Sequence, residues 1–131
     1  MIYLDTCVVI SAVEKEGPVG ERARQALTSL TTERFAVSPL VTMEALVVPV
    51  RNDDYRLRLR YEKFFETLEM LELDEPTLLR AAELRARHTI SMGDAIHLAC
   101  AQMNLCAEFW TNDKRLKKIA GSLSITVLPT T

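Results

Sequence analysis

Short apolar runs alternate with longer amphipathic stretches along this chain, the pattern of a parallel sheet covered by helices on both faces. Ile2–Leu4, Phe35–Val37 and residues 70–73, 109–111 and 124–128 read as strands. Between the first two, residues 8–15 read as a helix that stops at Gly17-Pro18, and Pro18, tolerated where no N–H donor is needed, opens a second helix over 18–30. Ser38-Pro39 signals a third, with the Ser38 hydroxyl as the expected cap for free backbone N–H groups, and Pro49 should end or kink it. Asp53 or Asp54 then caps a longer helix whose apolar stripe, Leu57, Tyr61, Phe64, Phe65 and Leu68, reads as core. Asp74 caps a helix over 75–88. Gly93-Asp94 opens another that is apolar around most of its circumference, and a short helix over 114–120 stops at Gly121.

A length of 131 residues suits one domain, expected to span 1–131, and 48% apolar with 26% charged residues can fill a core beneath a soluble surface. No apolar run approaches the roughly eighteen residues of a membrane span, and Met1 leads straight into Ile-Tyr-Leu, so no membrane association and a cytoplasmic location are expected. Cys7, Cys100 and Cys106 lack C-x-x-C spacing, which excludes a zinc-ribbon pattern and points to reduced thiols. The net charge of −2 provides no global field for a polyanion, so a nucleic acid would have to be held by local basic patches or through a metal.

Four acidic residues stand out by position. Asp5 directly follows the first strand and Asp113 follows the fourth by one residue, at carboxyl ends where open α/β sheets bind ligands. Glu44 and Asp94 interrupt apolar helical faces, and an unpaired buried carboxylate is expensive. Singly, each has an ordinary explanation: turn or cap for Asp5 and Asp113, a favourable first-turn charge for Asp94, a solvated helix position for Glu44. Brought together they would need a cation, since two like charges about 4 Å apart repel by roughly 4 kcal/mol at an effective dielectric of 20. Oxygen-only ligands favour Mg²⁺ or Mn²⁺, which suits a phosphodiesterase site.

Ile2-Tyr3-Leu4-Asp5-Thr6, Ser38-Pro39 with Glu44 beyond it, Gly93-Asp94-Ala95-Ile96-His97-Leu98-Ala99 and Trp110-Thr111-Asn112-Asp113 occur in that order, and with them essentially the whole chain resembles a PIN domain of the stand-alone VapC toxin type. The resemblance implies a three-layer α/β/α fold with a parallel sheet of about five strands in the order 3-2-1-4-5. It also implies metal-dependent endoribonuclease activity with Asp5, Glu44, Asp94 and Asp113 as the acidic metal-binding and catalytic quartet. Thr6 and Thr111 resemble hydroxyl positions that support the carboxylates, while Cys7 stands where many relatives carry Asn or Ser. The implied partners are an RNA substrate, a VapB-type antitoxin that covers a hydrophobic groove, and a second copy of the chain as a homodimer.

Lys114, Arg115, Lys117 and Lys118 adjoin Asp113 and are the candidate RNA-phosphate contacts, whereas Arg51, Arg56, Arg58 and Arg60 read as a solvated face. Trp110 in a short strand reads as core, and His97, one turn after Asp94 on the same helix face, could reach the site or orient a carboxylate but reads first as a hydrogen-bonded core histidine. Competing functions are a PIN nuclease of RNA maturation that is not a toxin and a PIN fold that only binds a partner. A receiver-like phosphoacceptor module fits poorly, because Asp5 stands without a second acid beside it.

Overall fold

The computed structural model describes residues 1–30, 32–121 and 123–129. Five parallel strands, β1 (Ile2–Leu4), β2 (Phe35–Val37), β3 (Glu69–Met70), β4 (Glu108–Thr111) and β5 (Ser124–Val127), form one sheet in the order β3-β2-β1-β4-β5. The helices are α1 (Thr6–Glu14), α2 (Pro18–Ser29), α3 (Pro39–Arg51), α4 (Tyr55–Glu66), α5 (Glu75–Arg87) and α6 (Met92–Met103), with a 3₁₀ turn over Lys114–Lys118. Connections from β1 through β3 step one way across the sheet, and β3 to β4 crosses back. Right-handed crossovers therefore put α1–α4 on one face and α5–α6 on the other. Packing agrees: α1 touches α2, α3 and α4, while α5 packs on α6.

β1 is the centre of the molecule, and Ile2, Tyr3 and Leu4 are wholly buried. Alternation along the strand sends Tyr3 to the face it shares with Phe109, on which its ring stacks at 5.4 Å, and with His97 of α6. Burying such aromatic and aliphatic side chains contributes about 1.5–3 kcal/mol each, so β1, β4 and α6 form the rigid base on which the strand-end residues stand.

Several local expectations are corrected. Asp5 itself is the cap of α1, which starts at Thr6, two residues earlier than its apolar periodicity suggests. Ser38 makes no side-chain cap for α3, because its hydroxyl is committed to Tyr3 in the core. Pro49 lies inside α3, which runs on to Arg51. Asp54 caps α4 through the Leu57 N–H, while Asp53 adopts a left-handed backbone with φ 50°. Of the α4 stripe only Tyr61 is fully buried, since Leu57, Phe64, Phe65 and Leu68 pack on the outside of the core. β3 lies at 69–70 rather than 70–73, because it pairs only as far as β2 extends, Ala36 with Glu69 and Val37 with Met70. The segment after Asp113 is 3₁₀ and ends at Lys118.

Candidate functional site

The register of β1 against β4 builds the first half of the site. Leu4 lies beside Trp110, and the next backbone bond, Asp5 N–H to Trp110 O at 2.9 Å, keeps Asp5 level with Thr111. Asp5 is 7% exposed and doubly held: Oδ1 accepts from the Thr6 N–H at 2.8 Å, and Oδ2 accepts from the Thr111 hydroxyl at 2.7 Å. Thr111 Oγ1 in turn accepts from the Asp113 N–H at 3.1 Å, so one buried hydroxyl joins the two acidic residues at the two strand ends. Asp113 caps the 3₁₀ turn and pairs with Arg115 through both carboxylate oxygens, the closest contact being 2.6 Å. That guanidinium holds the Asp113 carboxyl below the usual carboxylate range.

Two helices bring in the second half. Glu44 sits in the second turn of α3, and its Oε1 accepts from the Thr6 hydroxyl at 2.6 Å and lies 2.6 Å from His97 Nε2. The His97 contact, helped by Thr6, lowers the Glu44 carboxyl against the opposing effect of burial. Glu44 Oε2 accepts no hydrogen bond among the described residues, and it lies beside Gly93, where a Cβ would meet it at 3.2 Å. Glycine gives that carboxylate room, and a larger residue would press it back by a few tenths of an ångström. Asp94 follows in the first turn of α6, its N–H bonded to the capping hydroxyl of Ser91 at 3.1 Å. Its carboxyl is raised, first by burial and then by the charges of Asp5 and Asp113. Asp5, Glu44, Asp94 and Asp113 all line one cleft of about 890 Å³, together with Thr6, Cys7 and His97.

A family model for the PIN domain matches residues 2–122. The chain belongs to the PIN-domain family. No curated protein matches it significantly. Among solved structures, this PIN domain superposes with a TM-score of 0.84 on a chain of the Rickettsia felis VapBC2 complex bound to a promoter DNA fragment, at 20% identity over 98% of this chain and 100% of that one. A chain of a Klebsiella pneumoniae toxin–antitoxin complex gives 0.77 at 24% identity over 97% of each. Mycobacterium tuberculosis VapC20, a sarcin-ricin loop cleaving toxin, gives 0.78 at 16% identity over 98% of this chain and all of that one. Identities this low speak for the fold, and the strand order 3-2-1-4-5 agrees with it.

Of the basic residues flagged in the sequence, Lys114 and Arg115 line the cleft of the PIN domain and Lys117 and Lys118 do not. Trp110 is core, 4% exposed, with its ring edge against Phe35. Cys7 lines the cleft, and its Sγ accepts from the Asn112 N–H at 3.3 Å. Burial, followed by the charge of Asp5, pushes its thiol up to about 11. His97 is core, at 2% exposure, and it also touches the Glu44 carboxylate, the orienting contact that its position one turn after Asp94 leaves open. Ser38 is marked in the sequence only as a helix cap and Tyr3 only as part of the first strand block, although Tyr3 lies two residues before Asp5. Three Asp and one Glu form a hard-oxygen donor set of the kind Mg²⁺ and Mn²⁺ prefer. Among the described residues no three His, Cys, Asp or Glu side chains stand together as a ready ligand group. Like charges explain this: Glu44 settles on His97 and Thr6, Asp113 on Arg115, and Asp94 carries the residual repulsion.

Proposed function

We propose that this PIN domain is a divalent-metal-dependent endoribonuclease of the VapC kind, the toxin of a toxin–antitoxin pair. The observation that carries the reading is the meeting of Asp5, Glu44, Asp94 and Asp113 in one cleft at the carboxyl edge of the sheet, where the strand order reverses between β1 and β4. Asp5 and Asp94, with Oε2 of Glu44 and the carboxylate of Asp113, would hold Mg²⁺ or Mn²⁺. Such an ion, when bound, supplies charge stabilisation at phosphorus and acidifies an attacking water. The chain's own contribution is positional: Thr111 and Thr6 fix two carboxylates, and the cleft's Lys114 gives a flanking RNA phosphate a cationic contact. Arg115 contributes there once it leaves Asp113.

The toxin assignment and its antitoxin rest on likeness to chains solved in VapBC and toxin–antitoxin complexes. A VapB-type partner and a homodimer belong to the same proposal, as does action in the cytoplasm. No helix among the described residues is long and apolar enough to cross a membrane. Purified protein incubated with single-stranded RNA should cleave it when Mg²⁺ or Mn²⁺ is added, and Asp5→Asn or Asp94→Asn should abolish cutting with unchanged circular dichroism. Undiminished cutting by both variants would remove the assignment. Expression should arrest growth, and co-expression of a small neighbouring reading frame should relieve it. Harmless expression in several hosts would favour the RNA-maturation alternative.

A further inference from the structure

A hydrogen-bonded chain runs behind the site through three elements. Ser38 Oγ lies 2.8 Å from the Tyr3 hydroxyl, that hydroxyl 2.7 Å from His97 Nδ1, and His97 Nε2 2.6 Å from Glu44 Oε1. Ser38 and Tyr3 are wholly buried and His97 is 2% exposed, so water cannot substitute for the two inner links, while Glu44 at the outer end reaches the cleft. We propose that His97 is a positioning residue, ordered by Tyr3 and Ser38, that pins Glu44 by one carboxylate oxygen and leaves the other presented to the ligand of the cleft. The catalytic consequence rests on the nuclease reading above, whereas the ordering of the chain does not.

Proton counting fixes its direction. An ionised carboxylate only accepts, so Nε2 carries its hydrogen whether the imidazole is neutral or charged. With the ring neutral, Nδ1 is an acceptor, the Tyr3 hydroxyl donates to it, and the tyrosine oxygen accepts from Ser38. This satisfies every buried polar atom of the chain, as burial demands, and it explains why Ser38 gives up the helix cap that its sequence context suggests. Placing the hydrogen on Nδ1 of a neutral ring would instead set the Nε2 lone pair 2.6 Å from a carboxylate oxygen.

Mere packing does not account for the geometry at the far end. His97 and Thr6 converge on the same oxygen, Oε1, each at 2.6 Å. Two donors from different helices prevent the carboxylate from rotating about its last bond. Oε2 is thereby left beside Gly93, where a Cβ would come within 3.2 Å, and the residue after Gly93 is Asp94, which lines the same cleft as Glu44. An outer partner that orients a ligating carboxylate in this way is typically worth about 10- to 100-fold in metal affinity or activity.

The first test uses the metal-free protein. ¹⁵N spectra should show His97, assigned against His88 by loss of its signals in His97→Gln, with Nε2 protonated, and Tyr3→Phe should move the Nδ1 resonance of His97. A neutral ring with the hydrogen on Nδ1, or an Nδ1 resonance indifferent to Tyr3→Phe, would overturn the proposal. In the second test, Mn²⁺ alone is titrated and free ion followed by electron paramagnetic resonance. His97→Ala should weaken binding by about 10- to 100-fold, and His97→Gln, whose amide can still donate to Glu44, should recover much of that loss. With RNA, the same pair should differ in kcat more than in KM. Wild-type Mn²⁺ affinity and kcat in His97→Ala would refute the positioning role. Failure of the wild-type protein to cut any RNA would instead strike the nuclease reading and leave the spectra to decide this one. Should His97→Ala not fold, Tyr3→Phe carries the same metal and kinetic tests.

Discussion

Thr111→Val isolates the hydroxyl that joins the two strand ends. Valine has nearly the shape of threonine, so the substitution leaves the packing of a wholly buried residue almost unchanged and deletes a single oxygen. That oxygen donates to the Asp5 carboxylate at 2.7 Å and accepts from the Asp113 N–H at 3.1 Å. A hydrogen bond to a charged group is worth about 1.5–3 kcal/mol, and here the carboxylate left behind is 7% exposed, so little water can replace the lost donor. The Asp113 N–H lies nearer the surface and regains water, which adds little. Added methyl burial returns up to about 0.8 kcal/mol. The net expectation is a loss of roughly 1–3 kcal/mol, or about 4–12 °C in melting temperature at a few degrees per kcal/mol for a domain of this length. Thermal unfolding followed by circular dichroism at pH 7 without divalent ions measures it. Thr111→Ser, which keeps the hydroxyl, is the control, and in an Asp5→Asn background the cost of Thr111→Val should shrink by about 1 kcal/mol or more, the coupling of contacting residues. A Thr111→Val protein melting within about 2 °C of wild type, with no coupling to Asp5, would show that the hydroxyl does not hold Asp5.

Other expectations follow from the same geometry. Asp94 titrates above its unfolded value, so its effect on stability is most favourable below the ordinary Asp range and declines as pH rises through its raised folded value. Asp94→Asn should therefore melt higher than wild type at neutral pH without metal, with the gap closing in acid, even as cleavage is lost. A variant no more stable than wild type at pH 7 would contradict this. Arg115→Ala removes a pair whose guanidinium is exposed and screened by solvent, so stability should hardly change, and less still in high salt; calorimetry at two salt concentrations checks it. Gly93→Ala should leave melting unchanged or raise it by up to about 1 kcal/mol through helix propensity, while RNA cleavage falls as the new Cβ presses on Glu44 Oε2. Cys7 and Cys100, pushed up to about 11 and about 12 chiefly by burial, should resist iodoacetamide at pH 8 in the folded protein and react after denaturation, as read by mass spectrometry.

The sheet order follows from the family resemblance that the four sequence blocks carry, whereas all four acidic placements rest on local signals, Glu44 by interrupting an apolar helical face. Asp5 and Asp113 end short apolar runs, and Asp94 opens an apolar helix, so topology alone delivers them to one edge. What stayed hidden depended on partners far away in sequence. Ser38 carries every local mark of a cap, and only Tyr3, 35 residues earlier and paired through the sheet, draws its hydroxyl inward. His97 is read correctly as core, but its link to Tyr3 spans 94 positions and leaves no trace in spacing. The Asp113–Arg115 pair has a separation of two, which does not share a helix face. It closes only because Asp113 caps a 3₁₀ turn that folds Arg115 back. β3 was misplaced because Leu71 and Leu73 carry the apolar alternation, whereas pairing is dictated by how far β2 reaches.

Taken together, the partners of the four carboxylates account for how an acidic cleft tolerates its own charge and where it would respond to a cation. Asp5 is held by a backbone N–H and a hydroxyl, Glu44 by a hydroxyl and an imidazole, and Asp113 by a guanidinium. Each arrangement spreads or cancels charge, and for Glu44 and Asp113 it holds the carboxyl below its ordinary range. Asp94 is different, because burial and two like charges push it up. A proton and a metal ion would relieve the same strain there, and so the two would compete for Asp94. The charge that makes Asp94 costly in the metal-free fold is thus what would draw a cation to the end of α6. Asp94 and Asp5, with the oxygen of Glu44 that His97 leaves free, would hold that cation, and its charge would reverse the sign of the local field for a phosphate.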